Sequence, residues 1–352
     1  MIDQASQLSG MMKPYQGPRH TVVAFHLRDS RCNIVGSGPN ETGASWDDLI
    51  FEIGSITKVF TAILLCVLVE EGRIDLRAPL AEMSDMFKDV PHSITAERLA
   101  SHTSGLPNIY VPTWMALFQQ QPEGPYANFT RTDLLGWLQK WRGKDRGAHL
   151  RHSYSNLGYG LLGEAMAITM GEPFAELLAA KVIHPLGLCD TTGELSDEQR
   201  RRFIQPRNTN GRPTTPWTFD ALAGAGILRS SARDLARFSD AVIRACNAPE
   251  TPLDRAILRS TKPHIGLGPR GSIEPTAQCL GWLSVRQDIT SPKITLANGG
   301  TAGSTCALYA CPDRAQAICV LSNNGVAANL WARTKLSWSR PVRHAKAILA
   351  GP

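Results

Sequence analysis

Apolar and polar positions along the chain fall into two kinds of pattern. Near the start, residues 20–26 (HTVVAFH) and 31–36 (RCNIVG) have the composition of short strands, on either side of the turn-like Arg28-Asp29-Ser30. An antiparallel hairpin is predicted there. Phe51-Glu52-Ile53-Gly54 then leads into Ser55, after which residues 56–71 are apolar on nearly every side until Gly72. That pattern predicts a central, buried helix. Between about 80 and 220, helical patterns at 96–101, 131–141, 156–170 and 173–182 are broken by polar loops. Another helix is predicted over 234–245, with Ser230 and Ser231 as candidate caps. Strand patterns return at 281–286, 293–296, 305–309 and 317–321, and a last helical stretch covers 327–349, interrupted by Pro341. No internal repeat or low-complexity tract is visible.

Strands at both ends with helices between them predict an α/β chain of the α+β type. One antiparallel sheet, flanked by helices, would be built from both ends of the chain and lie beside a helical insertion. The expected division is 1–79 with 225–352 for the sheet-bearing part and 80–224 for the helical part. A cleft between the two is the natural place for a ligand.

Composition narrows the function. With 352 residues, 43% of them hydrophobic and 19% charged, the chain can fill a large core. Its net charge of +6 is scattered, the densest cluster being Arg200, Arg201 and Arg202. A nucleic-acid groove would want a basic stripe interleaved with stacking aromatics, so no nucleic-acid partner is expected. The first twenty residues have no apolar signal segment, and the longest apolar run, 59–69, is far short of the ~20 residues of a membrane span. A cytoplasmic protein without a membrane partner is the expectation. None of the eight cysteines has the C-x-x-C spacing of a zinc or redox site, and Cys306, Cys311 and Cys319 read as small hydrophobes in strands.

Three segments carry candidate chemistry. In Ser55-Ile56-Thr57-Lys58, a serine at the first turn of a helix shares a face with a lysine three residues on. The helix terminus offers backbone N–H donors, and an apolar helix would desolvate the lysine and favour its neutral, proton-accepting form. A weak alcohol nucleophile is activated in this way. The same residues could also be an N-cap and a lysine reaching for solvent. The second segment is Tyr154-Ser155-Asn156, ahead of the helix over 156–170. A tyrosine hydroxyl beside a lysine can act as base and then as acid, and the asparagine could hold the lysine and a substrate carbonyl. Tyr126-Ala127-Asn128 has the same spacing but lies in a polar loop bounded by Pro and Gly, so Tyr154 is preferred. The third segment, residues 297–303 (ANGGTAG), has glycines that let another backbone or a ligand approach closely. An N–H there could face that of Ser55 across an oxyanion. A plain hairpin turn at Asn298-Gly299 is the alternative.

Taken in order, these segments resemble the serine β-lactamase and penicillin-binding-protein superfamily. The likeness is greatest to its class C branch, which includes D-amino-acid peptidases, family VIII-type esterases and acyltransferases. Residues 51–58 (FEIGSITK) match the nucleophile motif and Tyr154-Ser155-Asn156 the Tyr-x-Asn motif. Further matches are 102–107 (HTSGLP), 223–227 (AGAGI) leading into 231–238 (SARDLARF), and Leu280-Gly281-Trp282. The resemblance runs from about 20 to 325. It implies acyl transfer, with Ser55 as nucleophile, Lys58 and Tyr154 sharing the base, and Asn156, Asn298, Gly299 and Gly300 around the substrate and its oxyanion. Neither metal nor cofactor is implied, and the partner would be a small-molecule or peptide acyl substrate. A serine hydrolase of esterase or amidase type is the first expectation. An acyltransferase, a peptide-cyclising thioesterase and a penicillin-binding sensor that does not turn over remain open. The third motif departs from the pattern. Where members show Lys-Thr-Gly, or His or Trp before two small residues, this chain has Ala297-Asn298-Gly299.

Overall fold

The computed structural model describes residues 4–110, 124, 126–141, 151–267, 277–286, 290–325, 345, 348 and 349. The N-terminal hairpin forms as expected, from β1 (Val22–Arg28) and β2 (Arg31–Ser37). Asp29 and Ser30 both adopt positive φ, +49° and +59°, which a two-residue hairpin turn of matching twist requires. A short ladder pairs β3 (Ile50–Glu52) with β4 (Arg229–Ser231). The remaining strands are β5 (Ile265–Gly266), β6 (Ala277–Gln278), β7 (Leu283–Val285), β8 (Ile294–Gly300), β9 (Thr305–Cys311) and β10 (Gln316–Ser322). The eight-stranded sheet runs β2-β1-β10-β9-β8-β7-β6-β5, and every neighbouring pair is antiparallel. Two strands from the N-terminal end and six from the C-terminal part meet where β1 pairs β10, with Phe25 opposite Cys319.

The helices are α1 (Gln4–Met12), α2 (Thr57–Glu70), α3 (Leu80–Met83), α4 (Ala96–Ala100), α5 (Arg131–Lys140), α6 (Asn156–Met170), α7 (Phe174–Leu178), α8 (Asp197–Arg202), α9 (Ala232–Asn247) and α10 (Pro252–Ser260). Both faces of the sheet are covered, because side chains alternate along a strand. Val23, Phe25 and Leu27 of β1 enter the main core with α2, whereas Val22 and Ala24 pack with Leu8 and Met11 of α1. The nucleophile-bearing region is fixed through α2. Phe60 stacks on Phe238 of α9 at 4.4 Å between centroids, and Phe238 stacks in turn on Trp282 at 6.1 Å. The indole N–H of Trp282 donates to Ser260 Oγ at 3.2 Å, which ties in α10.

Some boundaries differ from the sequence-based expectation for physical reasons. Helix α9 starts at Ala232 because Ser231 caps it, accepting the backbone N–H of Asp234. Such a cap contributes about 1 kcal/mol. Helices α1 and α10 were not expected. Strand β8 does not stop at Leu296 but continues through Asn298, Gly299 and Gly300, so no hairpin turn forms at Asn298-Gly299. Cys306 pairs with Gly299 instead, and the turn follows, closed by Thr301 N donating to Ser304 O at 2.9 Å. Most of the helical stretch expected at 327–349 lies outside the described residues. Among the described residues, no helix is long and apolar enough to cross a membrane. All eight cysteines are unpaired.

Candidate active site

Ser55 lies in a single 3-10 turn, Gly54–Ile56, between β3 and α2, rather than in the α-helix itself. Gly54 makes that turn possible. Its φ is +48°, and a Cβ there would sit 2.7 Å from the Gly300 nitrogen and 2.8 Å from the Gly300 oxygen. Lys58 follows in the first turn of α2 and is only 2% exposed. Its ammonium nitrogen donates to Ser55 Oγ at 3.1 Å and to the carbonyl of Ala225 at 2.7 Å. Burial holds its pKa below the ordinary lysine value, partly offset by Tyr154.

The segment 223–228 supplies more than that carbonyl. Gly224 O accepts from Thr61 Oγ1 at 2.8 Å, and Leu228 N donates to Thr57 Oγ1 at 3.1 Å. This small-residue stretch therefore wraps the start of α2 and aims Ala225 O at the lysine. Its motif was visible in the sequence, but the role of its carbonyls was not. A main-chain acceptor leaves no side-chain signature.

Tyr154 is 40% exposed and its hydroxyl lies 2.8 Å from Ser55 Oγ. Lys58 Nζ sits 5.1 Å from the centre of the same ring. Two side chains, Lys58 and Tyr154, therefore converge on the Ser55 hydroxyl, which is open to solvent on the tyrosine side and closed on the lysine side. The loop bearing Tyr154 is tied to the 102–108 loop. Ser155 Oγ donates to Pro107 O at 2.6 Å, and Asn156 N and Leu157 N both donate to Asn108 O, at 3.0 and 3.1 Å. Ser155 also caps α6 by accepting Gly158 N. Tyr159, one turn into α6, is a different kind of tyrosine. It is buried, donates to Ala100 O at 2.6 Å, and burial raises its pKa well above the usual value.

Asn156 corrects one expectation. Its amide nitrogen donates to Tyr126 Oη at 2.9 Å, while Lys58 donates to Ser55 Oγ and to the carbonyl of Ala225. The amide nitrogen of the asparagine is therefore tethered to Tyr126 rather than turned to the lysine. Tyr126, set aside on sequence grounds, enters the site as that tether. It stacks on Phe219 at 5.3 Å and meets Trp217 edge-on at 5.6 Å.

Strand β8 forms the other side. A Cβ on Gly299 would stand 1.9 Å from the carbonyl oxygen of Ile53, so only glycine lets β8 lie this close to the Ser55 turn. Ala297 is buried and pairs with Leu308. Asn298 is half-buried, and its side-chain oxygen is enclosed with no hydrogen-bond partner among the described residues.

Comparison with known proteins fits this geometry. Residues 34–336 match the Beta-lactamase family model. The chain belongs to that family. It is 27% identical to a beta-lactamase of Providencia stuartii over 58% of its own length and 50% of that protein. It is 31% identical to the D-alanyl-D-alanine-carboxypeptidase/endopeptidase AmpH of Escherichia coli, over 45% of the chain and 40% of that protein. The chain thus spans about half the length of the curated relatives it matches. In fold it is similar to the class C beta lactamase from Rhodobacter sphaeroides, with a TM-score of 0.77, 20% identity and 98% of each chain covered. It is likewise similar to a beta-lactamase/D-alanine carboxypeptidase from Pseudomonas syringae, with a TM-score of 0.76, 23% identity, and 97% of this chain and 98% of that one covered. Two arginines, Arg229 and Arg286, are engaged away from Ala297. Arg229 is buried, donating to the carbonyls of Gly193, Ile227 and Trp217. Arg286 lies 3.9 Å from Asp313 and follows Val285, which pairs with Ile294 at the far end of β8. At ~3.4 Å per residue, Ile294 is roughly 10 Å along the strand from Ala297.

Proposed function

We propose that the chain is a serine hydrolase that works through a Ser55 acyl-enzyme on an uncharged ester or amide, of esterase type. The observation that carries this is the position of Ser55 Oγ, 2.8 Å from Tyr154 Oη and 3.1 Å from Lys58 Nζ. In this scheme Ser55 Oγ bonds to the substrate carbonyl carbon as its proton passes to the Lys58–Tyr154 pair. The N–H groups of Ser55 and Gly300 hold the oxyanion, and Asn298 and Gly299 line the path of the acyl group. The carbon–oxygen bond to the leaving alcohol then breaks, and Tyr154 returns the proton to it. Water repeats the sequence in reverse and frees Ser55. The relatives named beta-lactamase and D-alanyl-D-alanine-carboxypeptidase support acyl transfer from amides, and Ala297 supports substrates without a carboxylate.

Two measurements test this. Intact-mass spectrometry after a fluorophosphonate should show one adduct, lost in Ser55→Ala, a change that removes one oxygen and leaves the fold. Labelling that persists in Ser55→Ala sinks the mechanism. For specificity, kcat/KM for a neutral p-nitrophenyl ester should exceed that for a penicillin. The reverse order refutes the esterase reading while leaving the acyl-enzyme intact.

A further inference from the structure

The loop after α4 contains a residue that the proposed chemistry does not use. We propose that His102 is a positioning residue that sets the place of Tyr154, an inference that rests on the reading of Tyr154 as the proton carrier for Ser55. The residues on either side of Tyr154 both hydrogen-bond to this one histidine. Ser153 N donates to the His102 carbonyl at 2.7 Å, and Ser155 N donates to His102 Nδ1 at 3.1 Å. The imidazole also lies against the phenol, with ring centres 4.5 Å apart, and against Tyr159 at 5.0 Å. Tyr154 is 40% exposed, so burial alone does not fix its hydroxyl near Ser55. The histidine is 3% exposed and anchors it from behind.

Two further observations give the histidine this role rather than that of a core filler. Its backbone φ is +57°, a region that non-glycine residues seldom occupy, and this conformation accompanies a carbonyl and an Nδ1 that both receive N–H groups from the Tyr154 loop. The second is the required tautomer. An Nδ1 that accepts a backbone N–H carries a lone pair, so in the neutral ring the proton is on Nε2. A protonated ring would present two N–H donors to each other at Ser155 and a second positive charge near Lys58. The titratable groups facing it are Lys58 from α2, Tyr159 from α6, and His152 and Tyr154 from the loop. Burial, then Lys58 and His152, push its pKa well below the usual 6.5, which keeps the acceptor available.

The test combines variants with a readout on the tyrosine itself. His102→Gly keeps the backbone angle but removes both the acceptor and the ring face. His102→Asn tolerates the same angle and returns an acceptor oxygen close to the Nδ1 position. With a p-nitrophenyl ester, His102→Gly should lower kcat by up to about 10²-fold with KM little changed, the scale of an ångström-sized misplacement. His102→Asn should recover about tenfold of that loss, the worth of one hydrogen bond. In protein labelled with 3-fluorotyrosine, the ¹⁹F signal assigned through Tyr154→Phe should shift in His102→Gly and move back in His102→Asn, while those of Tyr15 and Tyr309 stay in place. A folded His102→Gly variant with unchanged kcat and an unmoved Tyr154 signal overturns the proposal. Should the variants fail to fold, ¹⁵N–¹H correlation of the unmodified protein decides. Nε2–H with bare Nδ1 is expected at neutral pH, and an Nδ1–H tautomer refutes the role. The ¹⁹F and tautomer readouts need no substrate. They judge His102 even where Ser55→Ala labelling defeats the acyl-enzyme reading.

Discussion

The two sides of the site are made of different material. On one, Ser55, Lys58 and Tyr154 converge through side chains, and the lysine is buried among carbonyls and rings. On the other, Ala297 to Gly300 present little but main chain, pressed against the Ser55 turn where a single methyl on Gly299 would collide. In the proposed mechanism the first side moves protons and the second holds a developing charge through N–H groups, with alanine at 297 offering no cation to a substrate's own charge. The difference separates two properties of acyl transfer. Nucleophile activation depends on desolvation and hydrogen bonds to side chains, whereas oxyanion binding depends on close backbone approach and therefore on glycine. On the proposed reading, a chain can keep both and still lack a side chain at 297 that would recognise a carboxylate.

The largest expected effect lies on the proton-handling side. Tyr154→Phe should lower kcat by about 10²–10⁴, the range for a lost general acid–base. Its melting temperature should hardly move, since the side chain is 40% exposed. The pH profile sharpens the assignment. Lys58 must be neutral to accept a proton, and burial lowers its pKa from the usual value. The limb of kcat/KM that rises with pH through Lys58 should therefore lie below the ordinary lysine range, near 10.4. A rising limb at or above that pH would mean that the lysine stays charged and the tyrosine works with another partner.

On the main-chain side, Gly299→Ala should lower kcat by about 10²–10³, as expected for losing one oxyanion donor. The new methyl meets the Ile53 carbonyl at 1.9 Å and Cys306 Sγ at 2.8 Å, so β8 must retreat and carry Gly300 with it. A lower melting temperature should accompany the loss. If kcat stayed within twofold of the parent, the N–H of Gly300 would have no part in the reaction.

How much of this was legible in the sequence depends on how far apart the interacting residues stand. Ser55 and Lys58 meet because three residues is nearly one helical turn, a local rule that any reading can apply. Their common partner Tyr154 is 99 residues away and could be paired with them only through the motif resemblance. The histidine that binds both neighbours of Tyr154 was quoted only as part of a loop, since backbone hydrogen bonds between 102–108 and 153–157 leave no periodic trace. Asn298-Gly299 looked like a turn because that dipeptide favours hairpins, yet pairing with Cys306 and the fit against Ile53 keep it extended. Tertiary contact outweighed local propensity there. Helix α10, by contrast, had a readable start. Thr251 and Asp254 form a capping box ahead of its apolar positions. Helix α1 offers no such signal, with small and polar residues at most positions.

A smaller effect should follow from restoring the cation. In Ala297→Lys, an ammonium could give a substrate carboxylate a charge-assisted hydrogen bond of roughly 1.5–3 kcal/mol. At ~1.4 kcal/mol per factor of ten, kcat/KM for a penicillin should rise by one to two orders of magnitude. The value for a neutral ester should stay level. Equal gains for both substrates would show that the lysine alters the strand rather than the recognition of charge.

The smallest effect tests whether the two Tyr-x-Asn segments divide the work as the geometry indicates. Tyr126→Phe keeps the ring that stacks on Phe219 and meets Trp217, and removes the oxygen that receives the Asn156 amide. A neutral hydrogen bond of this kind contributes about 0.5–1.5 kcal/mol. The loss should therefore be at most about tenfold, and it should appear mainly in KM, because in the proposed mechanism Asn156 borders the substrate while its amide nitrogen is held by Tyr126. Tyr154→Phe should leave KM nearly level and act on kcat. Steady-state kinetics on the two single variants separate these outcomes with one substrate. If Tyr126→Phe depressed kcat as deeply as Tyr154→Phe, the tether through Asn156 would belong to the proton path, and the contrast between the two sides of the site would fail. If neither variant changed kcat, Ser55 would have to give its proton to Lys58 alone, and the contact of 2.8 Å with Tyr154 would be one of position without chemistry.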